Sequence, residues 1–207
     1  MANSSIIVGV TGNAASGKSQ VCRVFERLGI DGLSLDELSR QAVEPEGSVI
    51  VQIVEAFGKT VLHQDGTLNR RQLRRLITRD IDAKKALEDI IHPEICRMMA
   101  HKIMAAREDG RHLVVEAPLL FEVNLALNFD KIIVVTIPPS IQIKRLVARD
   151  LISYDEATAL IRIQMPQELK AEKADFVIAN NGSLKNLENA AKDIFFKVFG
   201  KIADKTP

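Results

Sequence analysis

The chain has 207 residues, 46% of them hydrophobic, and 28 Lys and Arg against 27 Asp and Glu leave a formal net charge of +1. That length suits one α/β domain with an insertion, or a large and a small lobe, with enough apolar residues for a real core. Balanced charge argues against non-specific nucleic-acid binding as the main task, and no apolar run approaches membrane-spanning length. Cys22 and Cys96 lie far apart with no CxxC and no Cys/His cluster. They predict buried free thiols in a reducing compartment rather than a zinc site or a disulfide framework. No basic stretch followed by a long apolar one opens the chain. We expect a cytoplasmic protein with no nucleic-acid or membrane partner, a monomer by default with an oligomer left open.

The run Ile6-Ile7-Val8-Gly9-Val10 predicts a buried strand, and Val21, Val24, Phe25 and Leu28 recur at helical spacing. Between them stands Gly12-Asn13-Ala14-Ala15-Ser16-Gly17-Lys18-Ser19. Strand, glycine-bounded loop, lysine, hydroxyl and helix are the parts of a phosphate-binding P-loop in the context it requires. Gly12 and Gly17 permit backbone angles that turn successive N–H groups around a phosphate. The helix start adds its positive dipole end. The Lys18 ammonium can reach β- and γ-phosphates, and the Ser19 hydroxyl can ligate Mg²⁺. A plain glycine-rich turn is the alternative, and the flanking strand and helix weigh against it.

Leu28-Gly29-Ile30 predicts a glycine-capped helix end. Gly32-Leu33-Ser34-Leu35 then reads as a short second strand ending at Asp36. Ligands of open α/β sheets sit beyond the carboxyl ends of strands, which places Asp36 near the phosphates. Asp36 also precedes a helical pattern, so an N-cap role stays open. From Leu38 to about Gly110 no strand is legible, and His92-Pro93 predicts a break or kink. This span reads as an all-helical insertion that forms a substrate-facing lobe. Within it, Arg70 with Arg74, and Arg71 with Arg75 and Arg79, form two rows on one helix. They serve either an anionic substrate or merely a solvated face.

His112 to Pro118 restores the sheet, with Glu116 ending a third strand, where a carboxylate can hold a Mg²⁺-bound water or orient a basic group. Leu119, Leu120 and Phe121 need no more than apolar packing. A fourth buried strand covers 131–137, and Pro138-Pro139 ends it. Two helices follow, carrying Lys144, Arg145, Arg149 and Arg162, the second starting after Ser153 and running to about Gln164. Arg-rich paired helices after a sheet strand resemble the lid of a small-molecule kinase, although Asp150, Asp155 and Glu156 could instead pair with them as surface charge. A fifth strand at 175–179, the turn Asn180-Asn181-Gly182 and a Ser183-capped helix complete the pattern.

Over nearly its whole length the sequence resembles dephospho-CoA kinases. The matching pieces include the loop 12–19, Asp36 with Arg40, Glu44-Pro45-Glu46-Gly47, Asp65-Gly66-Thr67-Leu68-Asn69-Arg70 with Leu73-Arg74, and His92-Pro93. Further along come Pro118-Leu119-Leu120-Phe121-Glu122, Gln142 with Lys144-Arg145 and Arg149, Gln164-Met165-Pro166 with Lys170, and Asp175 to Gly182. The resemblance implies transfer of phosphate from ATP, with Mg²⁺, to the ribose 3′-hydroxyl of dephospho-CoA. It implies a P-loop NTPase-type five-stranded parallel sheet flanked by helices, with core segments at about 1–36, 111–138 and 171–207, a helical CoA-binding insertion at 37–110 and a lid at 139–170. Asp36, Lys18 and Arg145 fall on catalytic positions. Gly12, Asn13, Ala14, Ala15, Ser16, Gly17, Lys18, Ser19, Gln20, Arg149 and Asn181 fall on the ATP site. Asp36, Arg40, Arg70, Arg74, His92, Glu116 and Leu120 fall on the substrate site, and Ser19 falls on the metal. The chain departs from the family pattern at Ser34, where an acid is usual, at Gln20 for Thr, at Glu116 for Asp, at Leu160 for a lid arginine, and in a loop lacking a further glycine.

Overall fold

The computed structural model describes residues 5–45 and 47–200, with the side chains of Thr78 and Arg79 left aside. Of the expected features, Glu46 in the 44–47 motif and the Arg79 side chain lie outside the described residues.

Five strands form one parallel sheet: β1 (Ile7–Thr11), β2 (Asp31–Ser34), β3 (Leu113–Glu116), β4 (Lys131–Thr136) and β5 (Phe176–Ala179). Their spatial order is β2-β3-β1-β4-β5. The register sets Val10 beside Glu116 and Ile133, and Ser34 beside Glu116. The helices are α1 (Lys18–Arg27), α2 (Leu35–Gln41), α3 (Ser48–Phe57), α4 (Arg70–Arg79), α5 (Ile81–Glu108), α6 (Pro139–Asp150), α7 (Tyr154–Arg162), α8 (Gln167–Ala171) and α9 (Leu184–Phe199). Parallel strands carrying helices on their faces are buried on both sides, which is why β1 reads as an unbroken apolar run.

The chain divides into two compact units, one of residues up to Ser34 and from Ala105 onward, the other of Leu35–Met104. In the first, Val8, Val10, Val114, Ile133, Val135 and Ile178 of the sheet pack with Val21 and Phe25 of α1 and Leu187, Ile194 and Phe195 of α9. Phe25 and Phe195 meet edge to face at 5.5 Å. Complete burial of Phe25 contributes about 3 kcal/mol. Cys22 sits in this core, where burial first and the Glu116 carboxylate second push its thiol well up. Cys96 is only half-buried, against the expectation of two buried thiols, because it lies among the partly covered positions of α5.

In the second unit, Val49, Ile50 and Ile53 of α3 pack with Val61, Leu68, Leu73 and Leu87. Asn69 caps α4 by accepting the Gln72 N–H at 3.0 Å. Leu73 faces that core while Arg70, Arg71, Arg74 and Arg75 are exposed. Two sequence expectations need correction. Of the break or kink expected at Pro93, the break does not occur, since α5 continues through it. One missing N–H and a ring clash cost about 3 kcal/mol, which a helix of 28 residues absorbs. β2 stops at Ser34 and Leu35 already begins α2, so Asp36 lies in the first helical turn rather than at the N-cap. Buried Leu35 fits the end of a strand pattern and the start of a helix pattern equally well.

Among the described residues no helix is long and apolar enough to cross a membrane.

Candidate active site

β1 delivers the chain to the centre of the sheet, and the loop from Gly12 to Gly17 turns it into α1. Gly12 has φ +142, and a Cβ there would lie 2.3 Å from the Val135 carbonyl oxygen of β4. Gly17 is the N-cap of α1 in the left-handed region, φ +104. Ala15 shares that region at φ 60 without being glycine. The Lys18 side chain folds over the loop and its Nζ donates to the Asn13 carbonyl at 3.1 Å. Ser16 is fully buried, and its Oγ has no hydrogen-bond partner among the described residues.

Ser19 Oγ donates to Glu116 Oε1 at 2.7 Å, so the hydroxyl after the lysine and the acid ending β3 meet as hard oxygens. Ser34 lies beside Glu116 at the same strand-end level.

From the other side, α6 and the segments around it grip the loop. Gln142 Nε2 donates to the Ala14 carbonyl at 3.0 Å, and Gln164 Oε1 accepts the Ala14 N–H at 2.7 Å. The Arg145 guanidinium donates to the Ala15 carbonyl at 3.3 Å and to Asn180 Oδ1 at 3.4 Å. Asn180 Nδ2 donates to the Ser16 carbonyl at 2.6 Å. Arg149 pairs with the neighbouring Asp150 carboxylate at 2.8 Å, the surface pairing weighed from the sequence. Asn181 is exposed in the turn after β5, and it is its neighbour Asn180 that is buried against the loop. Gln20 directs its side-chain amide to Glu188 of α9 at 2.8 Å and its N–H to the Gly17 carbonyl. Glu188 is shared with Arg27 at 2.9 Å, and that hydrogen bond, then the one from Gln20, lowers its pKa.

The structure thus brings together the loop residues 12–19, Glu116 and Arg145 in the first unit, with Arg149 on the next turn of α6 and Asn181 beside Asn180. Leu120 belongs to that unit too, but it is fully buried, with its N–H on the Ala117 carbonyl and its own carbonyl taking the Leu125 N–H. It packs as a core residue of that unit. The second unit carries Asp36 and Arg40, both exposed and one turn apart on α2, Arg70 and Arg74 on α4, and half-buried His92 on α5.

Sequence reasoning passed over Asn180 in favour of Asn181, and quoted Gln142, Gln164 and Lys170 without giving them a task. Lys170 is 1% exposed, with its ammonium 2.7 Å from Glu122 Oε1 and donating to the Pro118 carbonyl at 3.3 Å. Thr11 Oγ1, one residue before the loop, donates to the same carbonyl at 3.2 Å. A lysine and a glutamate quoted in separate motifs were the only sign of this pair.

A model of the dephospho-CoA kinase family matches residues 6–186. The chain belongs to the dephospho-CoA kinase family. It is 39% identical over 194 residues to a dephospho-CoA kinase of Geobacter sulfurreducens, covering 93% of this chain and 98% of that one. It is 38% identical over 181 residues to the enzyme of Carboxydothermus hydrogenoformans, covering 87% and 88%. A solved structure of dephospho-CoA kinase from Campylobacter jejuni superposes with a TM-score of 0.73 at 27% identity, covering 96% of this chain and 98% of that one. The fold of this family member is therefore the P-loop kinase α/β fold, as its motifs predict.

Proposed function

We propose that the chain phosphorylates the ribose 3′-hydroxyl of dephospho-CoA with ATP, giving coenzyme A and ADP. The observation that carries this reading is the match of the dephospho-CoA kinase family to residues 6–186, with the phosphate-binding loop intact at its start. In this reading the loop amides and the Lys18 ammonium bind the β- and γ-phosphates. The buried Ser16 hydroxyl is a donor that a phosphate oxygen would satisfy. Ser19 Oγ and the Glu116 carboxylate, 2.7 Å apart, are the hard oxygen donors that suit Mg²⁺, Ser19 directly and Glu116 through water. Mg²⁺ bound there would neutralise charge on the phosphates. Asp36 accepts the proton of the acceptor hydroxyl, and Arg145 and Arg149 supply positive charge to the nucleotide phosphates. Arg40, Arg70, Arg74 and His92, on the helical unit 35–104, serve the anionic acceptor, and 139–170 acts as the lid. Phosphoryl transfer is governed by positioning and charge more than by base strength. The reading includes a cytoplasmic monomer, which light scattering on a size-exclusion column and cell fractionation check.

The deciding experiment measures ADP release from Mg-ATP with dephospho-CoA, AMP, adenosine, shikimate or no acceptor, and identifies the product by mass. Release dependent on dephospho-CoA with a 3′-phosphorylated product is expected. Release with a different acceptor would keep the kinase core and reassign the helical unit. Asp36→Asn should lower kcat at least a hundredfold while ATP affinity stays within about threefold. Near-normal turnover would remove Asp36 from the role of base.

A further inference from the structure

Three consecutive carbonyls of the phosphate-binding loop are held by side chains from outside it. Gln142 takes the carbonyl of Ala14, Arg145 that of Ala15, and Asn180 that of Ser16, at 3.0, 3.3 and 2.6 Å. A trans peptide is planar, so a carbonyl turned one way turns the N–H of the next residue the other way. Holding these three carbonyls outward aims the N–H groups of Ala15, Ser16 and Gly17 to the opposite side. The Ser16 N–H closes a turn on the Asn13 carbonyl at 3.1 Å. The N–H groups of Ala15 and Gly17 flank it, and both residues have positive φ. Backbone that passes repeatedly through the left-handed region gathers N–H groups into an anion-binding concavity.

The two shortest of these holds come from buried amides. Gln142 is 2% exposed and Asn180 is 3% exposed. Burying a polar side chain is unfavourable unless it is hydrogen-bonded, and here the bonds go to the loop. Asn180 also accepts from Arg145, so α6 and the end of β5 act on the loop as one assembly. A Cβ at Gly17 would lie 2.6 Å from Asn180 Nδ2, so loop and amide are in direct contact.

We propose that Gln142 and Asn180 are positioning residues for phosphoryl transfer. They hold the Ala14 and Ser16 carbonyls outward so that the amides on the opposite side meet the polyphosphate of the nucleotide. The proposal rests on the kinase reading above and deepens it. Each residue acts through the loop.

The test compares the full chain with Gln142→Met and Asn180→Asp. Methionine keeps the length of the side chain and cannot donate. Aspartate keeps the shape and the Arg145 contact but sets an acceptor against the Ser16 carbonyl. Calorimetric titration with ADP and with inorganic tripolyphosphate should show about tenfold weaker binding in each variant. The KM for ATP should rise with it, while the KM for dephospho-CoA stays within twofold. If one variant fails to fold, the other decides. Unchanged tripolyphosphate affinity, or an equal loss for both substrates, overturns the proposal. A wild-type chain that binds tripolyphosphate but does not phosphorylate dephospho-CoA sinks the proposed function. A selective loss of tripolyphosphate affinity in the variants would still uphold the positioning role.

Discussion

Ala15 holds a backbone conformation that its own Cβ resists. At φ 60 an L-residue is strained by about 1–2 kcal/mol. Glycine relieves that strain but loses about 0.4–1 kcal/mol through a freer unfolded chain. Ala15→Gly should therefore stabilise the protein by about 0.5–1 kcal/mol, read as a higher denaturation midpoint with ADP affinity no weaker than wild type. His112 offers a pH-dependent counterpart. Its Nδ1 accepts the Ile6 N–H at 3.0 Å and its ring packs on Phe199 at 4.9 Å. Burial pushes this imidazole below its usual value. The unfolded chain then binds the proton more readily, so stability rises with pH across the gap. The contribution is complete above the unfolded-state pKa of about 6.5 and is lost as pH falls below it. Thermal scans between pH 7.5 and 5 should show a shallower fall for His112→Gln than for wild type. At this scale, legibility followed distance along the chain. Ser183 was readable as a cap because its side chain bonds an N–H only three residues on. Gln142, Gln164 and Asn180 were not, because their loop partners lie 128, 150 and 164 residues away.

Short α8 is fastened to the segment after β3 by one buried cation. Lys170 is nearly inaccessible, and Glu122 is its counter-ion. Removing one partner of such a pair leaves a desolvated charge and costs more than the pair itself contributes. Glu122 keeps some solvent contact, which puts the expected cost of Lys170→Met at the low end, about 3 kcal/mol. Adding Glu122→Gln should return part of that loss, and a double-mutant cycle in urea measures the coupling. Strictly additive losses would show that the two act independently. The strands themselves were legible because parallel, doubly covered strands are continuous apolar runs, and β1, β3 and β4 are such runs. Boundaries were less so. Leu35 is buried and could close β2 or open α2, and the difference moves Asp36 from ahead of a helix into its first turn. A proline's local effect predicts a break or kink at Pro93, whereas α5 continues through it.

At the scale of the whole molecule, the division at Ser34 and Ala105 separates a mixed α/β unit from an all-helical one. The helical character of 35–104 was readable from the absence of any period-two stretch there. Its assignment to the acceptor makes a prediction for hydrogen exchange. Mg-ATP should slow amide exchange at 12–19, and dephospho-CoA should slow it within 35–104. Protection of 12–19 by both ligands, with 35–104 untouched, would detach the helical unit from the acceptor. The strand order carries a consequence in time. β1 is the first strand made, yet Ile7 pairs with Leu113 and Val8 with Lys131. At about 5–20 residues per second, on the order of 6–25 s of synthesis separate β1 from its second neighbour. The helical unit, whose contacts are local, can form during that wait. A nascent chain halted before β4 would carry every letter of the loop but lack the strand and the side chains of Gln142, Arg145 and Asn180 that hold its shape.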